Sequence, residues 1–302
     1  MSNHTKGIVM ISITAVLWGI LAIVLKYALQ RFSGNTIIWF RFTFSFIFLG
    51  AYYSIRRPQY FEIFKTPPVL GIIAGLAVGG NYLGFTTGVA LTSPSNTQIL
   101  IQIAPLLVAI VGVVYFKERL TILQKSGFAI AAAGFVLFYR NQLHNLVISS
   151  QQYALGNLWI IFGAVAWAIF AVCQKHLIRF WSPQQTNLLI YLVAAMVFSP
   201  LAVFHEFQGL TLSDWLTLIF LGANTLVAYG TLGEALKLLP ANQVSAIIVL
   251  NPLITLLVAG VLSFQNLPWL SCESITLPGY AGALLLLAGV GLVVKKGKCP
   301  VG

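Results

Sequence analysis

The second half of this 302-residue chain repeats its first half. Each copy contains five long apolar segments, so an odd number of crossings would give the two copies opposite orientations in a membrane. Inverted repeats of this kind are typical of secondary transporters, in which a site between the halves opens to either side as one half rocks against the other. The residues that return in order are Gly7 as Gly156, Trp18 as Trp167, Lys26 as Lys175, Pro105 as Pro252, Gly127 as Gly282, and Gly134 as Gly289.

The composition predicts a membrane protein. The chain is 59% hydrophobic and 8% charged, whereas soluble proteins are about 25% charged. Each apolar segment has roughly 18–24 residues, which is enough to cross the ~30 Å hydrocarbon layer as a helix. We predict an all-α membrane protein with ten transmembrane helices in two inverted five-helix repeats, 1–145 and 146–302. The predicted spans are 8–29, 36–55, 69–91, 95–115, 122–140, 156–177, 185–204, 214–237, 241–262 and 277–294.

The distribution of charge predicts the orientation. With the N-terminus in the cytoplasm, most of the 17 Lys and Arg residues fall at cytoplasmic helix ends and loops, as the positive-inside rule requires. Both termini are then cytoplasmic. The net charge of +11 is explained by topology and by contact with anionic membrane lipids, so no nucleic-acid partner is expected. The cytoplasmic set is Lys6, Arg56, Arg57, Lys65, Lys117, Arg119, Lys125, Lys175, Arg179, Lys237, Lys295, Lys296 and Lys298.

An ordered set of short motifs resembles the EamA branch of the drug/metabolite transporter superfamily. The resemblance covers nearly the whole chain, and the order of the motifs is more specific than any one of them. It implies a ten-helix, 5+5 inverted-repeat transporter of small metabolites, often amino acids and usually exported. The second copy has Gln265 where Glu118 should recur. The matching residues are Ala15–Gly19, Lys26, Arg41–Phe42, Ala90–Ser95, Pro105, Lys117–Leu120, Gly127 and Gly134, then Trp167, Ala235–Leu236, Leu239–Ala241 and Pro252.

Glycine and proline residues predict how the helices pack. Two glycine stripes with four-residue spacing on the third helix predict close contact with neighbouring helices. The short links before Pro94 and Pro240 predict antiparallel pairing of helices 3 with 4 and 8 with 9. Pro105 and Pro252 should each deprive a carbonyl four residues earlier, at Ile101 and Ile248, of its helical donor. The stripes are Gly71, Gly75 and Gly79, and Gly80, Gly84 and Gly88.

Polar and aromatic side chains at membrane depth predict a central binding cavity. They concentrate on helices 3, 4, 8 and 9, whereas helices 5 and 10 are nearly free of polar side chains and are expected to be peripheral. The alternative for the polar residues is interhelical hydrogen bonding, at about 0.6–2 kcal/mol each. The alternative for the two tryptophans is packing between the repeats. The predicted substrate-binding set is Trp18, Asn81, Tyr82, Gln98, Gln102, Trp167, Asn224, Tyr229 and Asn251.

Charged residues within the helices have competing interpretations. Arg41 lies about 8 Å into helix 2 by the helical rise, so it either anchors the helix at the outer interface or acts in gating or anion attraction. Lys26 and Lys175 lie near helix ends and are expected to snorkel to the surface. Glu234 either pairs with Lys237 three residues later or binds a coupling proton.

Other features limit the function. Glu118 is expected to close the turn between helices 4 and 5. No P-loop, nucleophile–base arrangement or metal-ligand spacing lies at membrane depth, so we predict no enzyme, no cofactor and no metal.

The predicted function is a secondary transporter of small amphipathic or amino-acid-like metabolites, working by alternating access in a bacterial inner membrane. A lipid flippase or lipid-processing protein is the alternative. The expected partners are a small-molecule substrate, membrane lipids and a candidate coupling proton, with a monomer and a homodimer both open.

Overall fold

The computed structural model describes residues 2–118, 120–138, 151–263 and 277–294. Within these ranges the secondary structure consists of helices joined by short links and contains no strand. Most predicted termini lie within two residues of the observed ones, but the first helix begins five residues earlier than predicted, the sixth predicted span is already helical at Gln151, and the seventh ends six residues earlier than predicted. The helices are α1 Asn3–Ala28, α2 Gly34–Arg56, α3 Val69–Leu91, α4 Pro94–Leu100, α5 Ile103–Val114, α6 Ile122–Phe138, α7 Gln151–Leu177, α8 Pro183–Phe198, α9 Leu212–Leu238, α10 Ala241–Ile248, α11 Asn251–Ser263 and α12 Leu277–Val294.

Seven helical spans within the described ranges are long and apolar enough to cross a membrane. Two of them are the combined spans Pro94–Val114 and Ala241–Leu262. Two shorter apolar helices, Ile122–Phe138 and Pro278–Val294, add to this set. The chain is therefore a multi-pass membrane protein, whereas the ten-helix count and the cytoplasmic position of both termini stay predictions.

The helices of the two repeats interdigitate. The most extensive contacts join α3 with α7, α6 with α12, and α1 with α9, and each of these pairs takes one helix from each repeat. The α1–α9 contact corresponds by the internal repeat to the α7–α3 contact. Helix α3 packs mainly on α7 and α8, and its contact with α4 is sparse. The predicted pairing of helices 3 with 4 and 8 with 9 is therefore wrong as a description of the main packing, because the partners come from the opposite repeat.

The two glycine stripes of α3 face two different helices. A Cβ atom added to Gly75 would lie 2.6 Å from the Val193 side chain of α8, and one added to Gly84 would lie 2.8 Å from the Gly163 Cα atom of α7. Such close approach is how helices gain contact in lipid, where no hydrophobic drive acts between them. The stripes therefore hold α3 between two helices of the second repeat.

The last helices of the repeats cross at matching glycines. A Cβ atom on Gly134 would lie 2.8 Å from the Gly282 carbonyl oxygen, and one on Gly289 would lie 2.6 Å from the Gly127 carbonyl oxygen. Because only glycine leaves room for this backbone approach, the paired Gly-x₆-Gly motifs form the contact between α6 and α12.

Each of the two proline-containing spans is broken. The first has its break at Ile101 and Gln102, between α4 and α5, and the second has its break between α10 and α11. The carbonyls expected to be free have donors: the Ile101 oxygen accepts a bond of 2.9 Å from the Ala104 N–H. The Ile248 oxygen lies 3.0 Å from the Asn251 amide nitrogen in the amide orientation that satisfies both polar atoms. The breaks place α4, α5, α10 and α11 around the middle of the bundle.

Candidate functional site

A cavity lies at the centre of the bundle, between the two repeats. Its volume is about 60 Å³, which is room for only a few water molecules at roughly 10–15 Å³ each. It is lined by α1, α2, α3, the α4–α5 break, α7, α9 and the α10–α11 break. Eight of the nine residues predicted to bind substrate lie in its wall: Trp18, Asn81, Tyr82, Gln98, Gln102, Trp167, Tyr229 and Asn251.

Aromatic residues related by the internal repeat meet in this cavity. The rings of Trp18 and Trp167 pack edge to face with centroids 5.8 Å apart. The spacing that relates Pro105 to Pro252 also relates Tyr82 to Tyr229, and their centroids lie 6.0 Å apart. Residues at equivalent positions can approach each other in this way only near the axis that relates the repeats. The cavity therefore lies on that axis.

Arg41 is a cavity residue and not an interfacial anchor. Its side chain is 1% exposed, and it lines the cavity from α2. The Nε atom donates to the Thr225 hydroxyl oxygen over 2.9 Å, and Nη2 donates to the Tyr82 hydroxyl oxygen over 3.2 Å. The guanidinium also lies 4.3 Å from the centroid of the Tyr82 ring. The anchoring interpretation is wrong because the helix turns this face into the bundle.

Arg41 has no anionic partner in the described part of the chain. Its guanidinium donates instead to the neutral hydroxyl groups of Thr225 and Tyr82. Neutral oxygens and ring faces offset only part of the cost of removing a cation from water, which is several kcal/mol even after relaxation. A charge kept in such a place is a functional-site hypothesis by default.

The glutamines of the cavity are partly committed to the backbone. Gln98 Nε2 donates to the Trp18 carbonyl oxygen over 2.8 Å, and Gln102 Nε2 donates to the Gln98 carbonyl oxygen over 3.0 Å. Gln102 Oε1 and the Thr86 hydroxyl are buried without a partner. Since an unsatisfied buried polar atom costs about 1–3 kcal/mol, these two atoms are candidates for hydrogen bonds to a solute.

The asparagines mainly tie helices together. Asn81 Nδ2 donates to the Gly163 carbonyl oxygen over 2.9 Å, and Asn224 Nδ2 donates to the Leu17 carbonyl oxygen over 2.8 Å. Asn224 is also the one predicted binding residue that the cavity wall does not include. The hydrogen-bonding alternative raised for the polar set therefore describes Asn224 well, although its side-chain oxygen Oδ1 has no partner.

Lys26 and Lys175 bind helix ends instead of snorkelling. Lys26 Nζ donates to the Val89 carbonyl oxygen over 2.9 Å at the end of α3. Lys175 Nζ donates to the Leu236 and Leu239 carbonyl oxygens, each over 2.8 Å, at the end of α9. The last carbonyls of a helix lack intrahelical donors and carry the negative end of its dipole. Each lysine thus caps the third helix of its own repeat.

Glu118 caps the start of α10 and does not merely close the turn between helices 4 and 5. Its Oε1 accepts a bond of 2.7 Å from the Ala241 N–H, and its Oε2 accepts one of 3.1 Å from the Asn242 N–H. The sequence motif around Glu118 indicates that this residue has a specific role, but the backbone groups that it binds lie in the other repeat. The aligned Gln265 lies outside the described residues.

Glu234 lies apart from the central cavity. Its side chain is partly buried near the end of α9, whereas Lys237 is exposed. No hydrogen bond or ion pair within 4.0 Å joins Glu234 to Lys237 in the structure.

An apolar groove adjoins the cavity. It has a volume of about 850 Å³ and lies against α5 and α6. Gln102 and Pro105 line both spaces. Leu106 and Ile110, which are at least half exposed, line the groove on α5, so it opens toward the surroundings of the bundle.

Comparisons with known proteins identify the family. The EamA-like transporter family model matches residues 5–140 and 154–295. The chain is 32% identical over 286 residues to the Escherichia coli K12 protein named uncharacterized inner membrane transporter YhbE, covering 94% of this chain and 89% of that protein. It is 30% identical over 279 residues to an uncharacterized transporter of Haemophilus influenzae, covering 92% and 90%.

A solved structure shares the fold. One protein crystal structure superposes with a TM-score of 0.73 at 17% identity, covering 97% of this chain and 98% of the other. The names of the relatives and the seven apolar spans agree on a multi-pass protein of the bacterial inner membrane. The chain therefore belongs to the EamA-like transporter family, and it is a membrane transporter and not an enzyme.

Proposed function

We propose that the protein is a secondary transporter that carries small amphipathic solutes, including amino-acid-like ones, through the central cavity by alternating access. The observation that carries this proposal is the meeting of repeat-related aromatic residues around the cavity. A site on the axis of an inverted repeat is equivalent with respect to both membrane faces, so it can be exposed to either in turn. The export direction follows from the family resemblance.

The packing indicates which parts move. The two repeats interdigitate, so rocking of one whole repeat against the other would separate most helix contacts at once. The broken spans are better suited to movement, since the N–H groups of Gln102 and Leu250 bond to the carbonyl three residues earlier and so interrupt the α-helical hydrogen-bond pattern. We propose that α5 and α11 swing about these breaks. The cavity is too small for a solute beyond a few waters, so such a movement must accompany binding.

Glu234 is the candidate group for proton coupling. It is a carboxylate within α9, and it has no ion-pair partner in the described ranges. An intramembrane carboxylate that is not paired can take up and release a proton as its surroundings change. Its distance from the cavity wall means that coupling would act through movement of α9.

The apolar groove supports lipid translocation as a second candidate function. An amphipathic lipid needs an apolar environment for its tails and a polar one for its headgroup. A groove of about 850 Å³ beside a polar cavity offers both. Lys125 lines the groove and could attract an anionic headgroup. The cavity itself is much smaller than the groove, so we place small-solute transport first.

Purified protein in sealed liposomes tests the proposal. Flux of radiolabelled amphipathic amino acids and organic acids should exceed that of protein-free liposomes and should saturate. A Gly134→Leu variant, which disrupts the α6–α12 crossing, serves as the inactive control. Fluorescent lipid analogues test the second candidate in the same vesicles. Lipid movement between leaflets without flux of any solute would replace the transporter proposal with the flippase.

A further inference from the structure

We propose that the central cavity binds a small organic monocarboxylate, and that the guanidinium of Arg41 receives the carboxylate. This assignment rests on the proposed function only in treating the bound solute as the one transported. Arg41 is buried at the cavity wall, and its charge has no carboxylate partner among the described residues. A solute that brings its own anion would supply that partner.

The guanidinium of Arg41 uses only some of its hydrogen-bond donors. Nε is bonded to Thr225 and Nη2 to Tyr82, while Nη1 has no hydrogen-bond partner in the described ranges. Arginine presents a planar set of donors that matches the two oxygens of a carboxylate. The bonds to Thr225 and Tyr82 fix the plane, so the remaining donors are oriented before the solute arrives.

The internal repeat shows that this charge is not required by the fold. The spacing that relates Trp18 to Trp167 also relates the N-cap residues Ser33 and Ser182 of α2 and α8. By the same spacing, Ile190 of α8 is the residue of the second repeat that is equivalent to Arg41. Ile190 is fully buried and apolar. The second repeat therefore packs this position without a charge, and the first repeat keeps one where it meets the cavity.

The number of donors selects a monoanion. Among the residues that the structure describes, Arg41 is the only cationic side chain in the cavity wall, and the amide nitrogens of Gln98 and Gln102 each already donate one bond to a carbonyl oxygen. The unpartnered Thr86 hydroxyl adds one further donor. A phosphate dianion needs more positive charge and more donors than these, whereas one carboxylate is satisfied by them.

The rest of the wall selects the organic part of the solute. The Trp18 ring contacts both Trp167 and Tyr229, with centroid distances of 5.8 Å and 5.3 Å. Aromatic faces bind apolar and aromatic groups and also attract an ammonium group. The chemistry therefore fits an aryl or branched aliphatic carboxylate, with or without an amino group.

Matched acids and amides test the assignment without any need for transport. The full chain in detergent is titrated with phenylacetate and phenylacetamide, and with L-phenylalanine and L-phenylalaninamide, and thermal stabilisation gives the dissociation constants. We expect at least one acid to bind about tenfold or more tightly than its amide, the scale of one charge-assisted contact. Equal binding of acid and amide in both pairs, or no stabilisation by either acid, would overturn the assignment.

Substitution assigns the preference to Arg41. Arg41→Gln should abolish the difference between acid and amide, and Arg41→Lys should keep part of it, because the charge remains without the planar fork. Arg57→Gln, at the exposed end of α2, is the matched control and should keep the full difference. A full acid preference in Arg41→Gln would overturn the assignment. If that variant does not fold, the Arg41→Lys titration decides: an undiminished preference counts against Arg41.

Flux measurements separate this inference from the transporter proposal. Acids that bind through Arg41 but do not cross the liposome membrane would leave the binding site in place and defeat the proposed function. Amides that cross as fast as acids would support transport and defeat the carboxylate assignment.

Discussion

Trp18 and Trp167 hold equivalent positions in the two repeats and contact each other edge to face, with ring centroids 5.8 Å apart. Two tryptophans that are 149 residues apart in the sequence thereby mark the axis of the internal repeat. Both are buried and both line the cavity. Packing between the repeats and a place in the cavity wall were alternative predictions for these tryptophans. In the structure the same two rings pack the repeats together and form part of the wall.

Replacing either tryptophan should impair transport to a similar extent. Trp18→Leu and Trp167→Leu each remove one side of the pair, which is worth about 0.5–1.5 kcal/mol beyond burial. We expect a loss of solute flux of about tenfold in each variant, measured in liposomes at equal protein content. Trp159→Leu is the control, because Trp159 contacts Phe162 and does not line the cavity. A normal flux in both cavity variants would show that the rings serve packing alone.

The lysines that cap α3 and α9 should contribute unequally to stability. Lys175 makes two bonds of 2.8 Å, so Lys175→Met should lower the free energy of unfolding by about 1.5–3 kcal/mol, as for hydrogen bonds from a charged donor. Lys26→Met should cost less, because two of the three Lys26 bonds are long, at 3.4 and 3.3 Å. Denaturant unfolding in detergent measures both. Lys237→Met at the exposed end of α9 should be neutral, and an equal loss there would contradict the capping role.

Glu118 should stabilise the start of α10. Glu118→Ala removes both acceptors, and we expect a loss of about 0.5–2 kcal/mol, the range for a helix N-cap. Glu118→Gln keeps one acceptor oxygen without the charge and should fall between the wild type and the alanine variant. Thermal unfolding measures the series, with Glu62→Ala on the exposed segment after α2 as the control. If Glu118→Ala matched that control, the contact with α10 would carry no stability.

Glu234→Gln should separate coupling from stability. Since no ion pair joins Glu234 to Lys237 in the structure, neither Glu234→Gln nor Lys237→Met should lower the unfolding midpoint appreciably. If Glu234 carries the coupling proton, as we propose, Glu234→Gln should lose accumulation driven by a pH gradient. Exchange of labelled for unlabelled solute should persist, because it needs no net proton movement. Intact gradient-driven accumulation in this variant would exclude Glu234 as the coupling group.

The glycine crossing of α6 and α12 should tolerate no side chain. A Cβ atom on Gly134 would meet the Gly282 carbonyl oxygen at 2.8 Å, so Gly134→Ala should cost about 1–3 kcal/mol by overpacking. Gly291→Ala in α12 is the matched control, because nothing lies within 4 Å of its added Cβ atom. Detergent unfolding of both variants measures the difference. Equal stability of the two would mean that the helices separate at this crossing at no cost.

Some structural features could be predicted from the sequence, and others could not. The helical spans and the break near each proline follow from local composition. The cavity set was largely predictable too, because Trp18, Tyr82 and Gln102 are polar or aromatic residues at membrane depth. Arg41 was predicted less well: Trp39 and Phe40 beside it suggested an interface, and only the rotation of α2 shows which way the side chain points. Lys175 and Glu118 were misassigned because each binds backbone atoms of a helix distant in the sequence.

The sequence by itself determined the membrane location, the helical class and the internal repeat. These properties depend on the hydropathy of each residue and on a spacing that can be counted. Tertiary structure alone decided that the repeats interdigitate, that Gly84 faces Gly163, and that Arg41 reaches the cavity without a carboxylate partner in the described ranges. Helix pairing in lipid depends on which small faces fit together. That fit depends on the shapes of both surfaces. The sequence of one helix therefore does not identify the helix that it packs against.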